Sequence, residues 1–355
     1  MTEKPEKTRD CAAVNPADLL ALRARRPADY PFISELSPIR AICADSRRVQ
    51  PGDLFVAVRG QRVDGHQFID DAIAAGAQLV VAEDDTAVSE TAAAAMIIVE
   101  NSRDALGLLA AAFHNHPQRE LTTIGITGTN GKTTCSYLLE HALMKKGVRV
   151  GVIGTVEYRY RGRDGTRVSR PAVRTTPEPL VLYGLLREMA DAGVTHLIME
   201  VSSHALAQQR IGPLRFDYGL FTNLSQDHLD YHSDLDDYFQ AKALLFDTHL
   251  KDDGCAVICR PHDDSHRWSK QLVALCEQRH IDVVTCGPGP SENLRLISSS
   301  TDSHGLTLTV VDSEKSRGSV RAPLIGNFNL ANVQLVLTTL TAMGYSLDAV
   351  SYTHL

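Results

Sequence analysis

The chain has 355 residues, enough for two domains, and its 43% hydrophobic and 22% charged residues are typical of globular proteins. The formal net charge of −7 gives no general attraction for nucleic acid, so we expect no such partner. No apolar run reaches the roughly 20 residues of a membrane-spanning helix. Residues 1–15 also lack the apolar stretch of a secretory signal. We expect a cytoplasmic monomer without a membrane partner, preceded by a partly disordered lead-in over residues 1–38.

The seven cysteines are odd in number and scattered, unlike a secreted disulfide framework, so we expect reduced thiols. Cys255 and Cys259 are four positions apart, but no second pair matches them. Two buried strand positions are therefore a better interpretation of this spacing than a zinc site.

Residues 39–118 have the pattern of a small α/β domain. The strand-like runs Asp53–Val58 and Gln78–Ala82 flank a helical stretch, Phe68–Gly76. After an Ala-rich helix ending near His114, polar residues around Pro117 indicate a linker.

Residues 119–345 predict a second, larger α/β domain. Buried apolar runs between helical stretches are typical of a mostly parallel sheet covered on both faces. A β pair and a helix are expected near the end of this domain. Residues 346–355 are assigned to the truncated start of a further domain or to an artefact, and Ser351–Leu355 fit no motif. The parallel runs are Thr122–Thr127, Val148–Ile153, His196–Val201, Tyr218–Thr222 and Cys255–Cys259; the pair is Leu306–Val311 and Val320–Leu324, and the helix is Asn329–Met343.

A phosphate-binding loop is the strongest chemical signal. In GITGTNGKTT a strand ends near Ile126, a Gly-rich turn follows, and a helix opens around Lys132. Backbone N–H groups of such a turn point at phosphate oxygens, the lysine adds a positive charge, and the Thr133 hydroxyl can ligate Mg²⁺. The usual pattern has glycine where this chain has Ile126. The predicted ATP-binding residues of the loop are Gly128, Thr129, Asn130, Gly131, Lys132, Thr133 and Thr134.

Polar residues also follow two other predicted strands, at the edge where open α/β sheets bind ligands. The run HLIME ends at Glu200, a hard oxygen ligand suited to Mg²⁺, although a helix-capping role stays open. A second strand-like run is followed by the polar segment TNLSQDHLDYH. This segment contains Asn223, Asp227, His228, Asp230 and His232. At least one of these is expected to be functional.

The helix Asp236–Leu250 contains Lys242 among apolar residues. A lysine in such a place commonly extends its charge to solvent, and the residue pattern alone leaves that alternative open.

Together these motifs resemble the Mur ligase family over roughly residues 40 to 345. The resemblance rests on TGTNGKTT, MEVSSHAL, TNLSQDHLDYH, YFQAKALLF and GNFNLANV, in that order. The segments DSRRVQPGDLFVAVRGQRVDGHQFI and EVSSHALAQQR look most like the branch that attaches the third residue to UDP-N-acetylmuramoyl-L-alanyl-D-glutamate.

The resemblance implies ATP and Mg²⁺ as cofactors and particular roles for site residues. Glu200, His228, Thr133 and Lys242, the last as an N6-carboxylysine, would bind the metal, and Arg210 would help to hold the reacting anions. Asn329 and Asn332 would lie near the adenine. Substrate contacts would come from Ser46, Gln61, Arg62 and Val63 at the UDP end, and from Thr175, Thr176, Ser202, Gln208 and Arg210 at the muramoyl peptide.

An amine cannot displace a hydroxide-like oxygen from a free carboxylate, so the γ-phosphoryl group of ATP would first be transferred to it, giving an acyl phosphate. The resemblance also implies a C-terminal domain that selects the incoming amino acid, and nothing in this sequence corresponds to it. The acceptor is expected to be meso-diaminopimelate, with L-lysine as the alternative.

Two other functions stay open at this stage. Folylpolyglutamate synthetase shares the phosphate loop and metal cluster, but it lacks a UDP-binding domain such as the DSRRVQPGDLF region indicates. The second alternative is a catalytically inactive nucleotide-sugar-binding fragment.

Overall fold

A computed structural model describes residues 38–60, 63–85, 89, 96–227, 231–260, 266–326 and 328–347. The chain divides into two compact units. The first runs to Pro117 and also includes Glu178–Arg187 and Gln209–Pro213, and the second contains the remaining residues. The predicted α/β class, with a small N-terminal part and a larger, mostly parallel sheet, is confirmed.

The first unit is built on a four-stranded parallel sheet in the order β1-β2-β3-β4. Successive side chains of a strand point to opposite faces, so each strand supplies two cores. Leu54 and Val56 pack with Leu109 on one face, while Phe55 packs with Ile69 on the other. The elements are β1 Ile42–Cys43, β2 Leu54–Val56, β3 Leu79–Ala82, β4 Met96–Ile98, α1 Ile69–Ala74 and α2 Ser102–Phe113.

The second unit contains an eleven-stranded sheet. Its strands are β5 Thr122–Thr127, β6 Val150–Ile153, β7 Glu157–Arg161, β8 Arg167–Pro171, β9 His196–Glu200, β10 Phe216–Phe221, β11 Leu250–Cys259, β12 Asp282–Gly287, β13 Leu294–Asp302, β14 Gly305–Asp312 and β15 Arg317–Ala322. Its helices are α3 Lys132–Lys145, the last part of α4 Pro179–Asp191, α5 Ser203–Ala207, α6 Leu235–Asp247, α7 His266–Gln278 and α8 Phe328–Ala342. Within the described part of the chain, no helix is both long and apolar enough to cross a membrane.

The central strands of this sheet are parallel, in the order β13-β12-β11-β10-β5-β9-β6. An antiparallel extension lies at each edge: β14 and β15 beyond β13, and β7 and β8 beyond β6. The predicted β pair near the end of the domain corresponds to β14 and β15. Cys255 and Cys259 both lie on β11, with Cys259 buried.

The β7–β8 hairpin was not predicted, because charged residues interrupt its apolar pattern. Arg159 lies in the middle of β7 and is only 4% exposed. Its guanidinium donates to the Glu140 carboxylate of α3 over 2.8 and 2.6 Å, which compensates for its burial. A buried ion pair thus occupies a position where an apolar residue would have given the sequence pattern of a strand.

Candidate active site at the carboxyl ends of the central strands

Three neighbouring strands, β9, β5 and β10, bring the predicted motifs to one edge of the sheet. Ile126 of β5 is paired with Glu200 of β9, and Thr127 is paired with Phe221 of β10. Because the strands are parallel, the segments that follow them leave the sheet side by side. Ligands of open α/β sheets bind at this edge.

The loop after β5 requires glycine at two positions. Gly128 and Gly131 have φ values of +142° and +87°, which residues with a side chain rarely adopt. A Cβ atom at Gly128 would overlap the Thr222 hydroxyl, and one at Gly131 would overlap the Asn332 side-chain oxygen. Gly131 occupies the N-cap position of α3. Among the described residues, no side chain accepts a hydrogen bond from the first N–H groups of this helix. The first N–H groups of α3 are therefore suited to phosphate oxygens.

The turn after β10 holds this loop in place. The Thr222 hydroxyl donates to the Asn130 carbonyl over 2.6 Å, and the Thr129 N–H donates to the Asn223 carbonyl over 2.9 Å. The Ser225 N–H donates to the Thr129 hydroxyl over 3.1 Å. Sequence analysis placed Asn223 in a polar cluster but missed Thr222 and Ser225, whose only signal is that they follow a strand end.

Two lysines converge on this loop from different helices. Lys132 Nζ donates to the carbonyl oxygens of Gly128 and Thr129, each over 2.8 Å. Lys242 Nζ, from α6, donates to the same Gly128 oxygen over 2.9 Å and lies 4.2 Å from the centroid of the Tyr238 ring. Lys242 is only 2% exposed, so its charge does not extend to solvent.

Burial shifts the protonation equilibria of both lysines. It lowers the pKa of Lys132, whereas the negative charges of Glu200 and Asp227 oppose that shift. It lowers the pKa of Lys242 well below the ordinary value, and the positive charge of Lys132 lowers it further. Lys242 is therefore the amine of this pair that more readily becomes neutral and nucleophilic.

Glu200 lies at the end of β9 with its carboxylate buried beside the loop. One oxygen, Oε2, accepts hydrogen bonds from the hydroxyls of Thr133 and Thr155 over 2.9 and 2.8 Å. The other, Oε1, accepts from the Ser136 hydroxyl over 3.2 Å. Glu200 does not cap the helix that follows; Ser202 does, by accepting from the Ala205 N–H over 3.2 Å. Thr133 and Glu200, two predicted metal ligands, are thus in direct contact.

Predicted substrate residues lie beside Glu200. Thr176 donates to the Glu200 carbonyl over 2.8 Å and accepts from the Ser202 N–H over 3.1 Å. The Thr175 hydroxyl lies 3.1 Å from that of Thr155. A residue missed by sequence analysis, Thr155, therefore connects the carboxylate to this segment.

His232 connects two helices next to the loop. Its Nε2 lies 3.0 Å from the Ser203 hydroxyl of α5, and its Nδ1 lies 3.3 Å from the Asp237 carboxylate of α6. His228, a predicted metal ligand, and Asp230 lie outside the described residues. Gln208 donates to the Tyr231 hydroxyl over 3.2 Å.

Asn329 and Asn332 lie on α8 and are buried. The Asn332 amide donates to the Asn329 side-chain oxygen over 3.1 Å, and the Asn329 amide donates to the Ile325 carbonyl over 2.9 Å. The Asn332 side chain abuts Gly131, so this pair lies against the predicted nucleotide loop.

The remaining predicted residues that the structure describes belong to the first unit. Ser46 begins a short 3₁₀ helix, and Val63 is 55% exposed. Gln61 and Arg62 lie outside the described residues. Arg210 is 8% exposed, and its Nε lies 3.2 Å from the Glu178 carboxylate.

The chain matches two parts of one family. The Mur ligase middle domain matches residues 126–340, and the Mur ligase family catalytic domain matches residues 38–114. The first match spans the loop, both lysines and Glu200, and it covers more than half of the chain. The chain therefore belongs to the Mur ligase family.

Curated relatives are similar over most of the chain. It is 40% identical over 314 residues to a UDP-N-acetylmuramoyl-L-alanyl-D-glutamate--2,6-diaminopimelate ligase of Gloeobacter violaceus, covering 88% of this chain and 60% of the relative. It is 35% identical over 342 residues to the protein of that name in Geobacillus kaustophilus, covering 94% and 66%. The chain thus spans about 60 to 66% of the length of these relatives.

Solved structures have the same fold. A structure of UDP-N-acetylmuramoyl-L-alanyl-D-glutamate--2,6-diaminopimelate ligase aligns with a TM-score of 0.74 at 27% identity, covering 89% of this chain and 62% of that one. A Mycobacterium tuberculosis folylpolyglutamate synthase complexed with ADP and AMPPCP aligns with a TM-score of 0.56 at 18% identity, covering 70% and 61%. At 18% identity, the similarity to the folylpolyglutamate synthase shows a shared fold alone.

Proposed function

We propose that the protein is an ATP-dependent ligase that adds the third amino acid to UDP-N-acetylmuramoyl-L-alanyl-D-glutamate in peptidoglycan synthesis. We expect that amino acid to be meso-diaminopimelate, with L-lysine as the alternative. The observation that carries the proposal is the convergence of Lys132, Lys242 and Glu200 on one phosphate-type loop. The names of the relatives at 35 and 40% identity support the choice of substrate.

The residues at the loop fit ATP and Mg²⁺. The first turn of α3, which no described side chain caps, offers backbone N–H groups, and the Lys132 ammonium that donates to the loop carbonyls would donate to phosphate oxygens when ATP binds. Glu200 and the Thr133 hydroxyl form a hard oxygen pair, which Mg²⁺ prefers. Lys242 as a carbamate would add an anionic oxygen, and His228 is proposed as a further ligand. When bound, the metal would neutralise charge on the phosphates.

In this scheme the protein positions groups and compensates charge. Lys132 would stabilise the negative charge that develops on the transferred phosphoryl group, and Arg210 would hold the substrate carboxylate. Phosphoryl transfer gives an acyl phosphate, the incoming amine attacks its carbonyl carbon, and phosphate leaves. Thr175, Thr176 and Ser202 are proposed to bind the muramoyl peptide, and Asn329 and Asn332 the adenine side.

Each of the two parts of the chain would bind a different substrate. Residues 39–118 are proposed to hold the UDP end through Ser46, Gln61, Arg62 and Val63, and residues 119–345 to hold ATP. We infer that the protein works as a monomer in the cytoplasm, where ATP and the free amino acid are available.

Trapping of the acyl phosphate tests the proposal. The protein is incubated with ATP, Mg²⁺, UDP-N-acetylmuramoyl-L-alanyl-D-glutamate and hydroxylamine, and hydroxamate and ADP are measured. The ligase function predicts both products in equal amounts, with neither formed on UDP-N-acetylmuramoyl-L-alanine. Binding of both substrates without hydroxamate would favour the inactive binding fragment, and hydroxamate formed on a folate would favour a folylpolyglutamate synthetase.

A further inference from the structure

A cavity of about 520 Å³ lies between helix α3 and the hairpin formed by β7 and β8. The helix contributes Tyr137, Glu140 and Met144, whose spacing of three and four residues places them on a single helical face. The volume is within the range of roughly 300–1,000 Å³ of small-molecule sites. Among its described lining residues none belongs to the predicted active site, which contacts the opposite end of α3.

The wall of this cavity is apolar and held in place. Tyr137 and Met144 are 40% and 41% exposed, although large apolar side chains are usually covered. The Arg159 guanidinium lies 3.8 Å from the centroid of the Tyr137 ring. Arg159 is itself fixed by its paired hydrogen bonds to Glu140, and the Tyr137 hydroxyl donates to Glu157 over 3.3 Å. The ring therefore has a defined position before any ligand arrives.

The rim of the cavity is positively charged. Arg149, Arg161 and Arg167 line it and are exposed, and Arg159 lies beneath them. The described lining contains four arginines and one carboxylate, that of Glu140, which pairs with Arg159. A second carboxylate, that of Glu157, lies 3.5 Å from Arg167 and 3.7 Å from Arg159, so Arg149 and Arg161 add positive charge beyond these pairs. Guanidinium groups bind carboxylates, sulfonates and phosphates in a planar, bidentate manner.

We propose that this cavity is a binding site for a small organic anion with a flat, aromatic body. The ring of such a ligand packs against Tyr137 and Met144, and its anionic group contacts Arg161 and Arg167 at the rim. None of the lining residues is among those proposed for ATP or the UDP substrate, so the inference does not depend on the function proposed above.

The probe is 8-anilinonaphthalene-1-sulfonate, whose emission rises on binding. The proposal predicts saturable binding at one site, weakened at least tenfold in the double variant Arg161→Gln/Arg167→Gln. The matched control is Arg317→Gln/Arg321→Gln, which removes two exposed arginines from the opposite edge strand, β15, and should bind as the unaltered protein does. Unchanged melting temperatures would show that all variants remain folded.

Competition tests the requirement for charge. Naphthalene-2-sulfonate should displace the probe at least tenfold more effectively than the neutral 2-naphthol. Equal binding by the two double variants, absence of saturable binding, or equal competition by the two naphthalenes would each overturn the proposal.

Discussion

Lys132 and Lys242 donate hydrogen bonds to the same acceptor, the carbonyl oxygen of Gly128, over 2.8 and 2.9 Å. Two lysine side chains therefore lie close together in a buried place. Burial and this proximity favour the neutral form of Lys242. Both hydrogen bonds hold the loop in place, and the neutral form of Lys242 is the form that can be modified.

The first prediction is that Lys242 reacts with carbon dioxide to form a carbamate. Only a neutral amine reacts, so the lowered pKa of Lys242 lets the carbamate form at a lower pH than at an ordinary lysine. Nuclear magnetic resonance with ¹³C-bicarbonate should show one carbamate signal. Lys242→Met should remove it, whereas Lys251→Met, at a half-exposed lysine paired with Asp217, should retain it. A signal that persists in Lys242→Met would contradict this assignment.

The second prediction concerns nucleotide binding. Lys132→Ala removes the positive charge next to the loop, and the affinity for ATP should fall at least tenfold, or by about 1.4 kcal/mol. Calorimetric titration with a non-hydrolysable ATP analogue measures the change. Lys145→Ala, in the last turn of the same helix, should leave the affinity unchanged. Equal affinity of the Lys132 variant and the unaltered protein would refute the loop assignment.

The third prediction concerns Mg²⁺. Glu200→Gln preserves the size of the side chain but removes its charge, so the gain in ATP affinity on adding Mg²⁺ should shrink about tenfold or more. The affinity for ATP is measured once with Mg²⁺ and once with a chelator that removes it. Glu188→Gln makes the same change at a carboxylate paired with Arg170 and should preserve the full gain. A full Mg²⁺ effect in Glu200→Gln would exclude this carboxylate as a ligand.

The fourth prediction links stability to pH through His249. Burial lowers its pKa from 6.5 to about 4, and its Nδ1 lies 3.0 Å from the Leu214 carbonyl. Between these values the unfolded chain binds a proton that the folded protein does not, so stability falls as the pH falls from about 6.5 to 4. The loss amounts to at most about 3.5 kcal/mol, since one pKa unit corresponds to about 1.4 kcal/mol.

Denaturant unfolding at pH 7 and pH 4.5 tests this link. His249→Asn preserves a donor for the Leu214 carbonyl but does not titrate, so it should lose less stability on acidification than the unaltered protein. His304→Asn, at an exposed turn, should show the unaltered dependence. Identical pH dependence in both variants would contradict the role of His249.

Much of the sheet could be predicted from sequence because its central strands are buried on both faces. The runs around β5, β9 and β10 are continuous and apolar, and their ends coincide with the polar motifs. The β7–β8 hairpin and strands β12 and β13 were missed. In β7 a buried arginine breaks the pattern, and in β13 the residues from Ser298 to Asp302 are polar and exposed. Pairing with neighbouring strands, not hydrophobicity, places β7 and the polar end of β13 in the sheet.

The site could be predicted less completely than the fold. Lys132 and Glu200 could be proposed as candidates because Lys132 follows a Gly-rich loop and Glu200 ends an apolar strand. Thr155 and Thr222 were missed, because a threonine after a strand has no distinctive pattern, and their contacts join segments 45 and 92 residues apart. The burial of Lys242 was also undecidable from sequence, since it depends on the loop that its helix packs against.

Calorimetric titration with UDP-N-acetylmuramoyl-L-alanyl-D-glutamate tests the central claim most directly. Parallel titrations use UDP-N-acetylmuramoyl-L-alanine and a folate. The proposed function predicts that the dipeptide form binds at least tenfold more tightly than the shorter UDP compound, and that the folate does not bind. Equal binding of both UDP compounds, or binding of the folate alone, would contradict it.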